Sequence, residues 1–95
     1  MGEQAIDRHV VSAVKAITGM TLCYPLVGHP VEQVRTPPAI NAYFAKSGID
    51  GVMFPVDIEP RAIEPFFRMM RSWENCRGCS VTVPHKQAAF RAMDV

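Results

Sequence analysis

Apolar positions along this chain switch repeatedly between helical and strand spacing. Ile6, Val10, Val14 and Ile17 recur every three or four residues with polar residues between them, which predicts a helix from Gln4 to Ile17 stopped by Gly19. Such a helix would lean on the domain or on a partner chain. Thr21 to Val27 is a short apolar run ending at Gly28-His29-Pro30, the pattern of a first strand, and Pro25 within it suits an edge or an irregular start. Thr36-Pro37 reads as a helix entry, with a hydroxyl to cap and proline at the first helical position. Ile40, Ala42, Tyr43 and Phe44 carry that helix to a stop at Gly48.

The second half repeats the alternation. Gly51 to Ile58 reads as a strand with Val52, Phe54 and Val56 on one face and Met53 and Asp57 on the other. Pro60 opens a helix whose stripe of Ile63, Phe66, Phe67, Met70 and Trp73 packs on the sheet. Cys79 to Val83 is β-branched and apolar enough for a buried parallel strand, and Pro84, with fixed φ and no donor, suits the first position of a last helix containing Gln87, Ala88, Ala89, Phe90, Ala92 and Met93. The order β-α-β-α-β-α with short connections predicts an α/β domain of three layers, its mainly parallel sheet joined by right-handed crossovers, with an extra N-terminal helix. Residues 1–20 form a helical extension on this reading and residues 21–95 the domain proper. The last helix reaches Asp94-Val95 with no stop residue, the pattern of a truncated fragment.

Composition narrows the function classes. A chain of 95 residues makes one small domain with a barely sufficient core, and a 48% hydrophobic content argues against disorder. The net charge of +1 comes from interspersed acids and bases, so there is no basic stripe to neutralise phosphates and nucleic acid is not an expected partner. No apolar stretch approaches the roughly 20 residues of a membrane span. Glu3 and Asp7 stand where a signal peptide would be basic and then apolar, so a cytoplasmic location is expected.

Three cysteines are too few and too oddly placed for a disulfide framework or a metal site. Cys76-Arg77-Gly78-Cys79 has the spacing of zinc and redox motifs, but no second pair completes a metal site and Cys23 stands far upstream. A redox pair opens a helix after a strand, whereas this one leads into a strand. It reads as two structural thiols, Cys79 packed in the sheet.

Chemistry concentrates in Ser80-Val81-Thr82-Val83-Pro84-His85-Lys86. The run sets a hydroxyl at a strand end and a lysine in the first turn of a helix, the kind of junction at which open α/β sheets bind ligands. A helix N-terminus disfavours a cation by roughly 0.3–1 kcal/mol, which favours the neutral amine that an acid/base lysine needs.

The same run resembles the Asn-Val-Thr-x-Pro-His-Lys signature of the shikimate dehydrogenase family, with Ser80 where the family usually has Asn. Val27 to Pro37 resembles the family's Gly-Asn-Pro segment followed by Ser-x-Ser-Pro, and the spacing between the two blocks agrees. The resemblance covers Thr21 to Val95. It implies a substrate-binding domain in which Lys86 is the catalytic acid/base, Thr82 and Ser80 contact the substrate, and Thr36 matches the second serine of the pair that binds a carboxylate. The implied partner is a small cyclic hydroxy acid, shikimate or quinate, and a second copy of the chain is a candidate partner. The implied cofactor is NADP or NAD, held by a C-terminal domain absent from this sequence, which contains no G-x-G-x-x-G and lacks the family's catalytic aspartate at the matching position. The fragment alone would then be inactive.

Departures from the family pattern bear on the substrate. Val34 in place of the first serine removes one carboxylate donor, a change of about 1–3 kcal/mol if that group is left unpaired. Thr36 for serine is compatible, within the family, with quinate-type acids. Arg35 lies beside them as a cation. The other reading of the chain is a non-catalytic module that binds a small acid or contributes a dimer surface.

Overall fold

The computed structural model describes residues 15–93. The expected N-terminal helix lies outside these residues except for its last three positions, Lys15 to Ile17, which are not helical. The described elements are β1 (Leu22–Gly28), α1 (Thr36–Ser47), β2 (Gly51–Asp57), a 3₁₀ turn (Pro60–Ala62), α2 (Ile63–Met70), β3 (Ser80–Val81) and α3 (Lys86–Ala92). The strands form one parallel sheet in the order β2-β1-β3. Because the chain steps from β1 to one neighbour and then crosses back to the other, right-handed crossovers put α1 on one face and α2 on the opposite face.

Two prolines in strands find different solutions. β1 is the central strand, not an edge as Pro25 suggested. In a parallel ladder the donors of one strand alternate between its neighbours, and Cys23 and Val27 both bond toward the β3 side, so Pro25 faces that side too. There the pairing is interrupted between the Cys23–Cys76 bridge and the Leu26–Ser80 pair, so the missing N–H has no ladder partner to disappoint. Pro55 faces outward from β2, an edge strand, on the same side as Met53. That edge is covered by Asn41 of α1, whose amide donates to Met53 O at 2.9 Å and accepts from Met53 N at 2.7 Å. No ladder hydrogen bond is lost there either.

Both faces of β1 are packed. Val27, fully buried, forms a cluster with Ile63 of α2 and Ala88 of α3, against which Val56, Ile58, Phe66, Phe67 and Val81 pack. Burial of a side chain the size of Val27 or Ile63 stabilises the fold by about 1.5–3 kcal/mol. On the other face Tyr24 and Phe44 pack as a tilted pair at a centroid distance of 5.4 Å over Gly51. The alternation expected for β2 holds, with Val56 in the α2 cluster, Phe54 beside Trp73, and Met53 buried under α1.

Element limits differ from the sequence expectation in four places. Thr36 is the first residue of α1 and not its cap, Arg35 precedes it as the cap residue, and no side chain bonds the helix start. Gly48 does stop the helix, in the left-handed conformation at φ 70°. The helix expected from Pro60 to Trp73 begins with a 3₁₀ turn and ends at Met70. β3 is only Ser80–Val81 and lies at an edge, so it is not the buried strand expected from Cys79 to Val83, and Cys79 sits half-buried just outside it. Pro84 lies in a turn two residues before α3 instead of opening it.

Candidate functional site

All three strands exit at one end of the sheet, and the exits are tied together by a closed set of hydrogen bonds. Thr82 N donates to Val27 O at 2.9 Å and His85 N donates to Thr82 O at 3.0 Å. His85 Nε2 donates to Ile58 O at 2.6 Å, and Ile58 N donates to Gly28 O at 3.0 Å. Gly28 is bonded covalently to Val27, so the circuit joins the ends of β1, β2 and β3. A carbonyl only accepts, so Nε2 of His85 carries the hydrogen. The imidazole is 1% exposed, which makes this bond costly to lose.

Thr82 is pressed against β1. A Cβ placed on Gly28 would lie 2.5 Å from Thr82 Cγ2, so the absence of a side chain at Gly28 is what admits the threonine methyl. The loop after β1 is held to the same end. His29 Nδ1 and Asp57 Oδ1 are 2.7 Å apart, His29 N donates to Val83 O at 3.3 Å, and Gln33 Nε2 donates to Pro30 O at 2.9 Å. The His29–Pro30 and Val83–Pro84 peptide bonds are both cis.

Lys86 is the first residue of α3, exposed, directly after buried His85. In a parallel sheet every strand-to-helix junction lies at the same end, so Thr36 at the start of α1 and Lys86 at the start of α3 share the end at which Thr82 leaves β3. Ser80 stands apart, two residues before that exit and paired with Leu26 in the ladder. Among the described residues, the hydroxyls of Thr36, Ser80 and Thr82 and the Lys86 ammonium have no hydrogen-bond or ion-pair partner.

The start of α1 is a weaker anion site than a helix N-terminus usually offers. Its second and third residues are Pro37 and Pro38, which have no N–H, so the carboxylate affinity expected there falls on the Thr36 hydroxyl and amide. The first βα turn does not fit a dinucleotide either. Its one glycine, Gly28, has its open face filled by Thr82, leaving no cradle for a pyrophosphate.

Among the described residues no group of His, Cys, Asp and Glu is placed to hold a metal ion, and no helix is long and apolar enough to cross a membrane. Cys23, Cys76 and Cys79 are free thiols. Burial, and next the neighbouring Cys76, push the Cys79 thiol above its ordinary value, the opposite of what a redox couple needs.

Comparison with known proteins assigns this arrangement. The family model for the shikimate dehydrogenase substrate binding domain matches residues 26–95. The chain belongs to that family. It is 41% identical over 73 residues to the shikimate dehydrogenase (NADP(+)) of Anaeromyxobacter dehalogenans, covering 77% of this chain and 26% of that protein. It is 37% identical over 82 residues to that of Rubrobacter xylanophilus, covering 86% and 28%. The chain therefore spans about a quarter of the length of these curated relatives.

Solved members of the family share the fold. A shikimate dehydrogenase crystallised with NADP+ superposes with a TM-score of 0.80 at 28% identity over 86% of this chain and 28% of that one. The Listeria monocytogenes enzyme in complex with shikimate and NAD gives 0.77 at 26% identity over 87% and 28%. The α/β architecture and parallel sheet expected from the sequence are those of the family's substrate-binding domain.

Two groups in the circuit and around it were not legible as site residues. His85 lay inside the recognised motif without a role, because a histidine between proline and lysine does not announce a contact 27 residues upstream. The His29–Asp57 pair also joins residues remote in sequence, as does the Asn41 clasp on Met53 outside the site. A signal for Asn41 did exist, a polar residue on the sheet-facing side of an otherwise apolar helix stripe.

Proposed function

We propose that this chain is the substrate-binding part of an oxidoreductase that interconverts a cyclic hydroxy acid and its ketone, 3-dehydroshikimate and shikimate or the quinate pair. The nicotinamide cofactor, NADP or NAD, would be held away from the turn after β1, where Thr82 fills the open face of Gly28. The observation that carries the reading is the strand-exit circuit, which fixes Thr82 and Lys86 at one end of the sheet with their polar groups unpaired.

Each residue has a distinct task. Lys86 Nζ takes the proton of the hydroxyl whose carbon is oxidised, and returns it in the reverse direction. Thr82, its methyl seated on Gly28, presents its hydroxyl to the ring substituents, and Thr36 donates to the carboxylate. Ser80, exposed on β3, reaches the substrate from the strand face as a secondary contact.

The test is a thermal titration of the purified chain with shikimate and with quinate. A ligand that binds only the folded state raises the melting point, by about 4–8 °C for each kcal/mol of linkage in a domain of this size. Thermal stability is the better readout than Trp73 fluorescence. The indole bonds Asn75, which also donates to Thr21 O before the start of β1, at the end of the sheet opposite the site. A saturable rise with one acid, reduced in Thr82→Val and in Thr36→Val, supports the reading; no rise with either acid overturns it.

A further inference from the structure

We infer that His85 is a positioning residue that sets the Lys86 amine by tethering the start of α3 to the exit of β2. The inference rests on the role proposed for Lys86 and extends it to a residue that touches no substrate. β3 contributes only two residues to the sheet and α3 only seven to the helix layer, so neither element is long enough to hold the junction by its own ladder. Within the junction, Thr82 N donates to Val27 O and Val83 O accepts from His29 N, but both bonds run to β1 and the residue after it, and residues 83 and 84 form an exposed turn. The tether from the start of α3 to β2 is the His85 imidazole on Ile58 O at 2.6 Å.

Ile58 is itself anchored, its N–H on Gly28 O and its side chain in the Val27 cluster. A displacement of the β2 exit therefore passes through one buried side chain to the residue that precedes Lys86. The backbone carbonyl of His85 also accepts the first intrahelical bond of α3, from Ala89 N at 2.9 Å, so the same residue fixes the helix start from both its ends. A shorter or apolar side chain would leave Ile58 O, on a half-buried residue, without that donor and let the lysine sample other directions.

The amide nitrogen of glutamine reaches about where Nε2 of histidine lies, whereas that of asparagine falls near Nδ1, so His85→Gln preserves the tether and His85→Asn does not. The chain has three lysines, and ¹³C-dimethylation gives each its own NMR signal, with Lys15 and Lys46 as internal controls. In His85→Asn and His85→Leu the Lys86 signal should move while that of Lys46 stays, and the acid that the wild type binds should bind about tenfold more weakly, the order expected for one lost hydrogen bond. His85→Gln should match the wild type in both. A Lys86 signal unchanged in His85→Asn, or His85→Gln and His85→Asn behaving alike, overturns the inference. If the wild-type chain binds neither shikimate nor quinate, the proposed function fails by itself, and the lysine signals still decide the tether.

Discussion

Gly28 and Thr82 share one space: a methyl added to the glycine would come within 2.5 Å of the threonine's Cγ2, with Val83 O and Val31 Cγ1 close behind at 3.3 and 3.4 Å. The contact locks β3's exit against β1's exit. It also makes the glycine a site residue, although it supplies no functional group. Gly28→Ala should force Thr82 out of place and cost about 1–3 kcal/mol of stability, the usual range for overpacking. Denaturant unfolding measures the cost, and a variant as stable as the wild type would show that β3 yields freely.

Asn41 closes the free edge of β2 with two hydrogen bonds to Met53, a residue only 7% exposed. Asn41→Ala should cost about 1–3 kcal/mol, since both backbone groups lose their partner. Asn41→Asp, which sets a carboxylate oxygen against the Met53 carbonyl oxygen, should cost at least as much. Shikimate affinity should not change in either, because the clasp lies mid-strand; a parallel loss of affinity would contradict the separation of edge from site.

Acid stability has an identifiable contributor at the other end of the sheet. The Lys15 ammonium at 2.8 Å, and next the Thr21 hydroxyl at 3.0 Å, hold the Asp50 carboxyl below its ordinary value. A carboxyl whose folded pKa is depressed stabilises the fold above its unfolded pKa, and that contribution is lost as pH falls through the folded one. Unfolding midpoints compared between about pH 5 and pH 2 should therefore fall more steeply in the wild type than in Asp50→Asn. Equal slopes would mean that the Lys15–Asp50 pair contributes nothing in solution.

The thiol at Cys79 is expected to be sluggish. With its pKa raised by burial and by Cys76, its thiolate fraction at neutral pH is smaller than that of a free cysteine. Iodoacetamide labelling followed by peptide mass spectrometry should show Cys79 reacting more slowly than an unstructured cysteine peptide. Faster labelling would reopen a redox role for the pair.

Periodicity carried most of the fold, and it failed where short elements depend on distant partners. The helix stripe of Ile63, Phe66 and Phe67 and the alternation in β2 were readable because each buries a continuous face. Pro25 pointed to an edge because a sequence cannot show that the neighbouring strand breaks its ladder opposite that residue. Thr36 and Pro84 each suit a local role, cap and first helical residue, yet α1 begins at Thr36 itself and α3 two residues after Pro84. At the site, the motif located Thr82 and Lys86, while the ties that hold them, through His85 and Gly28, run between strand exits and leave no local pattern.

The most direct test of the account is a ¹⁵N NMR map of the chain titrated with shikimate and with quinate. Shifts should concentrate at Gly28, Thr36, Thr82 and Lys86, around the exits of β1 and β3 and the starts of α1 and α3. Shifts confined instead to the cavity of about 400 Å³ between α2 and α3, at Glu64, Arg68 and Arg91, would contradict it, as would a spectrum that both acids leave unchanged.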